Sequence, residues 1–141
     1  MIQIDYRSNI SVTDYNMLRK SVGWNEIEKT QAQIGINNSA YLVAAYYDNK
    51  SIGLTRVISD GGYGVFIVDV IVLPEFQGKG VGKAMMEMTM NSIKNSLKEG
   101  YCAYVNLMSA KGRESFYSKF GFEARPNENV GAGMTQWLHG K

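Results

Sequence analysis

At 141 residues the chain has the length of one domain and can bury a sizeable core without disulfide or metal staples. A net charge of +2 with no run of lysines or arginines argues against a nucleic-acid partner. No apolar run approaches the ~18 residues of a membrane span, so no membrane partner is expected either. The single cysteine, Cys102, excludes an internal disulfide and, with no basic-then-apolar leader, predicts a soluble cytoplasmic protein.

Ile2 to Tyr6 alternates and predicts a short opening strand. Ser11-Val12-Thr13-Asp14 sets a carboxylate shortly after a hydroxyl, a capping pattern, so a helix is expected through about Val22. Met17, Leu18 and Val22 are expected to turn inward, and Gly23-Trp24 to end it. Glu26 to Ile36 predicts a second, short helix, with Ile27, Ala32 and Ile34 loosely periodic. Tyr41–Tyr47 and Ser51–Ser59 read as strands joined by an Asp48-Asn49-Lys50 turn. After the Asp60-Gly61-Gly62 turn, Tyr63–Leu73 completes an antiparallel meander. Its Val65-to-Leu73 run is apolar on both faces apart from Asp69, which marks a central strand, and Pro74 stops the ladder.

Between that strand and a long helix lies Gln77-Gly78-Lys79-Gly80-Val81-Gly82-Lys83. At a helix start several backbone N–H groups lack intrahelical partners and the macrodipole is positive. Glycines there keep side chains from fending a ligand off those N–H groups, so the loop reads as a cradle for a phosphate or pyrophosphate. It is not a P-loop: five residues before Gly82 stands Gln77, and after Lys83 stands Ala84. Nor is it a dinucleotide fingerprint, whose last glycine would fall on Lys83 or Met85. The remaining Q-x-x-G-x-G pattern, preceded by V-x-P, resembles the acetyl-CoA motif of the GCN5-related N-acetyltransferases, the GNAT superfamily. The resemblance implies that Gln77, Gly78, Lys79, Gly80, Val81, Gly82 and Lys83 hold the coenzyme A pyrophosphate. It also implies that the backbone of Val70, Ile71 and Val72 holds the pantetheine arm and the acetyl carbonyl.

The helix after the loop carries Lys83, Glu87, Asn91, Lys94 and Lys98 as a solvent stripe. Val81, Met85, Met88, Ile93 and Leu97 are expected to face the sheet, and Gly100 to cap the helix. Tyr101–Met108 predicts a strand, parallel to the one before the helix through a right-handed crossover. A helix over Arg113 to Phe120 and two last strands, Phe122–Ala124 and Met134–Leu138, complete the expected order β-α-α-β-β-β-α-β-α-β-β. That order is similar to the GNAT order. The expected class is α/β (α+β): a single GNAT-like domain over residues 1–141, with a mixed, mostly antiparallel sheet flanked by helices. The late strands, if exposed, would offer a homodimer interface.

Acetyl transfer from a thioester to an amine needs a proton removed from the nucleophile, directly or through a water. It also needs a donor to the carbonyl oxygen and an acid for the leaving thiolate, but no metal. Phe116-Tyr117-Ser118-Lys119-Phe120-Gly121-Phe122 resembles the family's L-Y-x-x-x-G-F segment, which implies Tyr117 as the general acid. Many members carry an asparagine seven residues before that tyrosine; this chain has Ala110, leaving Ser109 or Lys111 to substitute. A carboxylate inside an apolar strand is either hydrogen-bonded structurally or functional, and elimination makes Asp69 the candidate general base.

His139 has no ligand partner at useful spacing, which argues against a metal site or a Ser-His-Asp triad. Cys102 reads as a small core residue, and Trp24, Trp137 and Tyr63 as core or acceptor-pocket aromatics. The functional expectation is an acetyl-CoA-dependent N-acetyltransferase acting on a primary amine of a small molecule or protein by direct attack in a ternary complex. The alternatives are a non-catalytic acyl-CoA-binding module on the same fold and a regulatory domain for another nucleotide.

Overall fold

In the computed structural model, which describes residues 2–141, strand β1 (Asp5–Arg7) leads into helices α1 (Val12–Ser21) and α2 (Lys29–Asn37). Strands β2 (Tyr41–Tyr47), β3 (Lys50–Ser59) and β4 (Gly64–Val72) come next, then a single 3₁₀ turn at Pro74–Phe76. Helix α3 (Val81–Ser96), strand β5 (Tyr104–Leu107) and the short helix α4 (Glu114–Ser118) complete the described elements. The chain divides into two compact units, one ending at Leu107 and the other beginning at Met108. The sheet and the first three helices lie in the former, α4 in the latter.

The five strands pair in chain order, antiparallel from β1 to β4 and parallel between β4 and β5. The α+β class and the mostly antiparallel sheet expected from the sequence are therefore present. Asp48 and Asn49 both adopt positive φ, 51° and 62°, the backbone that a tight hairpin turn with the native strand twist requires. Strand β2 shows how both faces of the sheet are buried. Leu42, Ala44 and Tyr46 pack with Tyr15 and Leu18 of α1, Ala32 of α2, Leu54 and Ile71. Val43 and Ala45 point the other way, to Ile52 and to Val81 and Met85 of α3. Leu18, Leu54 and Ile71 are at most 1% exposed, and each contributes about 1.5–3 kcal/mol by leaving water.

Several expectations are corrected. The inward face of α1 is Val12, Tyr15, Leu18 and Arg19; Met17 is 38% exposed. A hydropathy pattern hides this face because a tyrosine and an arginine complete it. In α2 only Ala32 is buried and Ile34 is exposed. Helix α3 stops at Ser96, where Leu97 takes extended backbone, so Gly100 lies beyond the end and caps nothing. Leu97 is exposed, while Met86 and Thr89 join the buried face. The expected strands at 122–124 and 134–138 are not formed. Neither segment has a ladder partner among the described residues, and a strand-like sequence without a neighbour leaves its backbone groups to water. Met134, Trp137 and Leu138 are accordingly 74–89% exposed, and the late strands expected to carry a homodimer interface are absent. Cys102 and Tyr63, expected in or near the core, are exposed as well.

Candidate active site

The cradle takes its shape from two left-handed glycines. Gly78 and Gly80 have φ of 76° and 84°, and Gly80 is the N-cap of α3 with no side-chain capping bond. Only glycine adopts that backbone without a steric cost. The first helical bond runs from Ala84 N–H to the Gly80 carbonyl. None of the amide N–H groups from Gly78 to Lys83 has a hydrogen-bond partner among the described residues. Six unpaired donors thus lie along the turn that opens α3, at the positive end of a sixteen-residue helix. A side chain at Gly78 or Gly80 would project into open space, so the turn is open to a ligand. Lys83 is exposed and lies 3.9 Å from Glu87, one turn along α3.

The strand leading into the cradle is open along one edge. Val70, Ile71 and Val72 pair with Thr55, Leu54 and Gly53 of β3. On the other side β5 pairs with β4 only from Gly64 to Ile67, which leaves Val70–Val72 without a ladder partner there among the described residues. Gln77 closes the unit: its Nε2 donates to the Val72 carbonyl oxygen at 3.0 Å, binding the start of the loop to the end of the strand. The open edge, the bound glutamine and the free amides form a continuous polar track at the C-terminal end of β4.

Asp69 lies one residue before this track, 3% exposed. Its Oδ2 accepts from the Tyr15 hydroxyl at 2.8 Å and from Arg56 Nε at 2.9 Å, and its Oδ1 faces Arg19 Nη1 at 3.5 Å. Arg56 Nη1 also donates to the Gly35 carbonyl in the last turn of α2, and Arg19 Nε to the Asn25 carbonyl. The Arg19 guanidinium lies within 6 Å of the Tyr15 and Trp24 ring centres. Burial raises the Tyr15 phenol above its ordinary range, and the charge of Asp69 adds to this against the opposing pull of the two arginines. Of the two sequence readings of Asp69, the bonding supports the hydrogen-bonded one. Both of its oxygens already face donors, Tyr15 and Arg56 on Oδ2 and Arg19 on Oδ1.

Tyr15, Arg19 and Arg56 went unnoticed in the sequence, although a signal for Arg56 existed. Arg56 and Asp69 are interior charges of opposite sign on consecutive strands joined by the Asp60-Gly61-Gly62 turn. The hairpin register that runs from Ser59–Val65 to Val57–Ile67 would set Arg56 opposite Val68, and the register shift after Val57 brings Asp69 opposite it instead.

In the second unit, Tyr117 on α4 is 9% exposed and wedged edge-on against Phe116 and Phe122, with ring centres at 5.1 and 6.3 Å. Burial pushes its phenol up, opposed by the nearby Arg113, so it is a proton donor at neutral pH. Ala110 has no polar side chain, and its backbone carbonyl accepts from Arg113 N–H and from the Ser109 hydroxyl. Ser109 is thus already engaged. His139 is exposed, and no cluster of three metal-ligating side chains occurs among the described residues. No helix there is long and apolar enough to cross a membrane.

Comparison with known proteins bears on the whole chain. Residues 14–137 match the family model described as an acetyltransferase (GNAT) domain. An uncharacterized N-acetyltransferase, ycf52, of Pyropia yezoensis is 28% identical over 89% of this chain and 72% of its own length. A probable acetyltransferase of unknown function from meticillin-resistant Staphylococcus aureus superposes with a TM-score of 0.84 at 34% identity, covering 98% of this chain and all of that one. Arabidopsis thaliana Naa50, solved with the bisubstrate analogue CoA-Ac-MVNAL, shares the fold at 18% identity with a TM-score of 0.70, covering 89% of this chain and 86% of its own.

Proposed function

The chain belongs to the GNAT acetyltransferase family, and from that premise we propose that it moves the acetyl group of acetyl-CoA to a primary amine of a small molecule or a protein, by direct attack in a ternary complex. The single observation that carries this reading is the run of unpartnered amides from Gly78 to Lys83 beside the open edge of Val70–Val72. Backbone donors at a helix N-terminus match a pyrophosphate, and a free strand edge matches an extended amide-containing arm. Lys79 and Lys83 add positive charge at the same turn.

In the proposed step the amine lone pair attacks the thioester carbonyl carbon, a C–N bond forms and the C–S bond breaks. The backbone of β4 at Val70–Val72 orients the carbonyl and supplies hydrogen bonding as charge builds on its oxygen. Tyr117 gives its phenolic proton to the departing thiolate. The proton lost by the amine leaves through water; Asp69 is held by Tyr15 and Arg56 on one oxygen and faces Arg19 on the other, a bonded carboxylate. No side chain in the proposed track is placed as an activated nucleophile, which favours direct attack over an acyl-enzyme.

Calorimetric titration of acetyl-CoA and coenzyme A into wild type and Gly80→Glu tests the reading. Binding by wild type that Gly80→Glu abolishes, with circular dichroism unchanged, is the expected result. A wild type that binds neither ligand would refute it.

A further inference from the structure

The pairing of β3 with β4 is interrupted once. Thr55 faces Val70 and Arg56 faces Asp69, but Val57 faces Ile67, so Val68 is an extra residue in β4. Such a bulge bends the strand and re-aims the residues after it. Here those residues are Asp69 and then Val70–Val72. The bulge is flanked by the Arg56–Asp69 ion pair, 2.9 Å between atoms whose side chains are 11% and 3% exposed. A bulge leaves a ladder locally weakened, so its geometry depends on side-chain bonds around it. Through Asp69 this one is anchored to Tyr15 and Arg19 of α1, and through Arg56 to the end of α2 at Gly35 and Ser39.

We propose that the buried Tyr15–Arg19–Asp69–Arg56 cluster is a positioning device for the coenzyme arm: it fixes the bulge at Val68 and thereby the direction of the open edge at Val70–Val72. The inference rests on the acetyl-CoA reading above. In it Asp69 is a positioning residue, acting on the cosubstrate through the backbone of β4. Asp69 holds α1 directly and α2 through its partner Arg56, so the placement of the two helices and the aim of the donor track are set together.

The test uses Asp69→Asn, Arg56→Met and the double variant, with the milder Tyr15→Phe as the variant most certain to fold. Coenzyme A affinity is read by calorimetry, and kcat and KM are read against pH. The expected result is a coenzyme A Kd raised about tenfold in each of the first two variants and no more than that in the double, because both remove one device. Tyr15→Phe, which loses a single bond, should raise it about threefold. The pH position of the kcat profile should stay where it is in wild type. An unchanged Kd with collapsed kcat and a lost limb of the pH profile would make Asp69 the base and overturn the proposal. An unchanged Kd and kcat with only a lowered melting temperature would overturn it too, as a purely structural cluster. Wild type that binds no coenzyme A would defeat the functional reading and this inference with it.

Discussion

Gln77 and Val72 are five residues apart in sequence and joined by a 3.0 Å bond from side-chain amide to backbone carbonyl. With the backbone bonds from Phe76 N–H to Leu73 and from Gln77 N–H to Pro74, this bond ties the glycine turn to the end of β4. The Gln77 side chain thus ties the start of the Q-x-x-G-x-G pattern to the strand before it. Gln77→Ala should therefore weaken coenzyme A binding about three- to tenfold while shifting stability by no more than about 1 kcal/mol. Titration calorimetry and a denaturant melt of the same variant would check both halves.

Two glycines predict opposite phenotypes. Gly80 has positive φ and open space around a would-be Cβ, so alanine there meets backbone strain of about 1–2 kcal/mol and no clash. Its main cost should fall on the ligand, whose approach to the α3 amides it obstructs. Gly53 has ordinary backbone, but a Cβ would sit 2.9 Å from Met85 Cε and 3.0 Å from the Ile71 carbonyl oxygen. The methionine tip can move; the carbonyl of β4 cannot without disturbing the sheet. Gly53→Ala should lose about 1–3 kcal/mol of stability. Chemical denaturation of the two variants, alongside coenzyme A titration, would separate them.

That contrast also shows what was legible in the sequence. Gly78 and Gly80 announce themselves because positive-φ glycines at a strand-to-helix junction form a local pattern. Gly53 carries no such mark: its need arises from Met85, brought against it by the packing of α3 on β3. The same division runs through the chain. Strands β2, β3 and β4 and the start of α3 can be read from turns, alternation and the proline. The buried faces of α1 and α3 can be read only in part: Leu18, Val81, Met85 and Ile93 are buried as expected, but Tyr15, Arg19 and Thr89 are polar-ended residues whose partners lie elsewhere in the fold or, for Thr89, one turn back at the Met85 carbonyl. The segment at 134–138 fails for the converse reason: its threonine and tryptophan suit a strand, but composition is only half of one, and no neighbour is present among the described residues.

The hydroxyl of Thr55 is fully buried and has no hydrogen-bond partner among the described residues. An unsatisfied buried hydroxyl costs about 1–3 kcal/mol, and valine has nearly the same shape. Thr55→Val should raise stability by about 1 kcal/mol. Thr89 is equally buried, but its hydroxyl donates to the Met85 carbonyl at 2.8 Å, so Thr89→Val should bring no such gain. Paired urea melts with equal m-values would make the comparison.

Alkali should destabilise the fold by a specific route. Burial holds the phenols of Tyr15 and Tyr117 above 10.0, the value they regain on unfolding. Below about pH 10 both states keep these protons and stability does not depend on them. Above it the unfolded chain ionises first, so stability falls as pH rises, by up to about 1.4 kcal/mol per pH unit for each withheld proton. Tyr6, Tyr41 and Tyr46 are raised in the same direction, so replacing Tyr15 and Tyr117 with Phe should reduce the slope without abolishing it. Urea melts between pH 8 and about 11 would measure that slope.

Tyr117→Phe decides between an enzyme and a module that only holds an acyl-CoA. The phenol is packed by its ring edges on Phe116 and Phe122, contacts that phenylalanine retains, so the substitution should leave the fold and coenzyme A affinity close to wild type. Loss of a general acid lowers kcat by about 100-fold or more. The expected signature is therefore a fall in kcat with an unchanged Kd, and a deficit that shrinks for acyl donors whose leaving thiol is more acidic, because such a thiolate departs without needing a proton. Turnover equal to wild type across that donor series would remove Tyr117 from the chemistry. Absence of turnover in the wild type with every amine offered, despite tight acetyl-CoA binding, would favour the binding module instead.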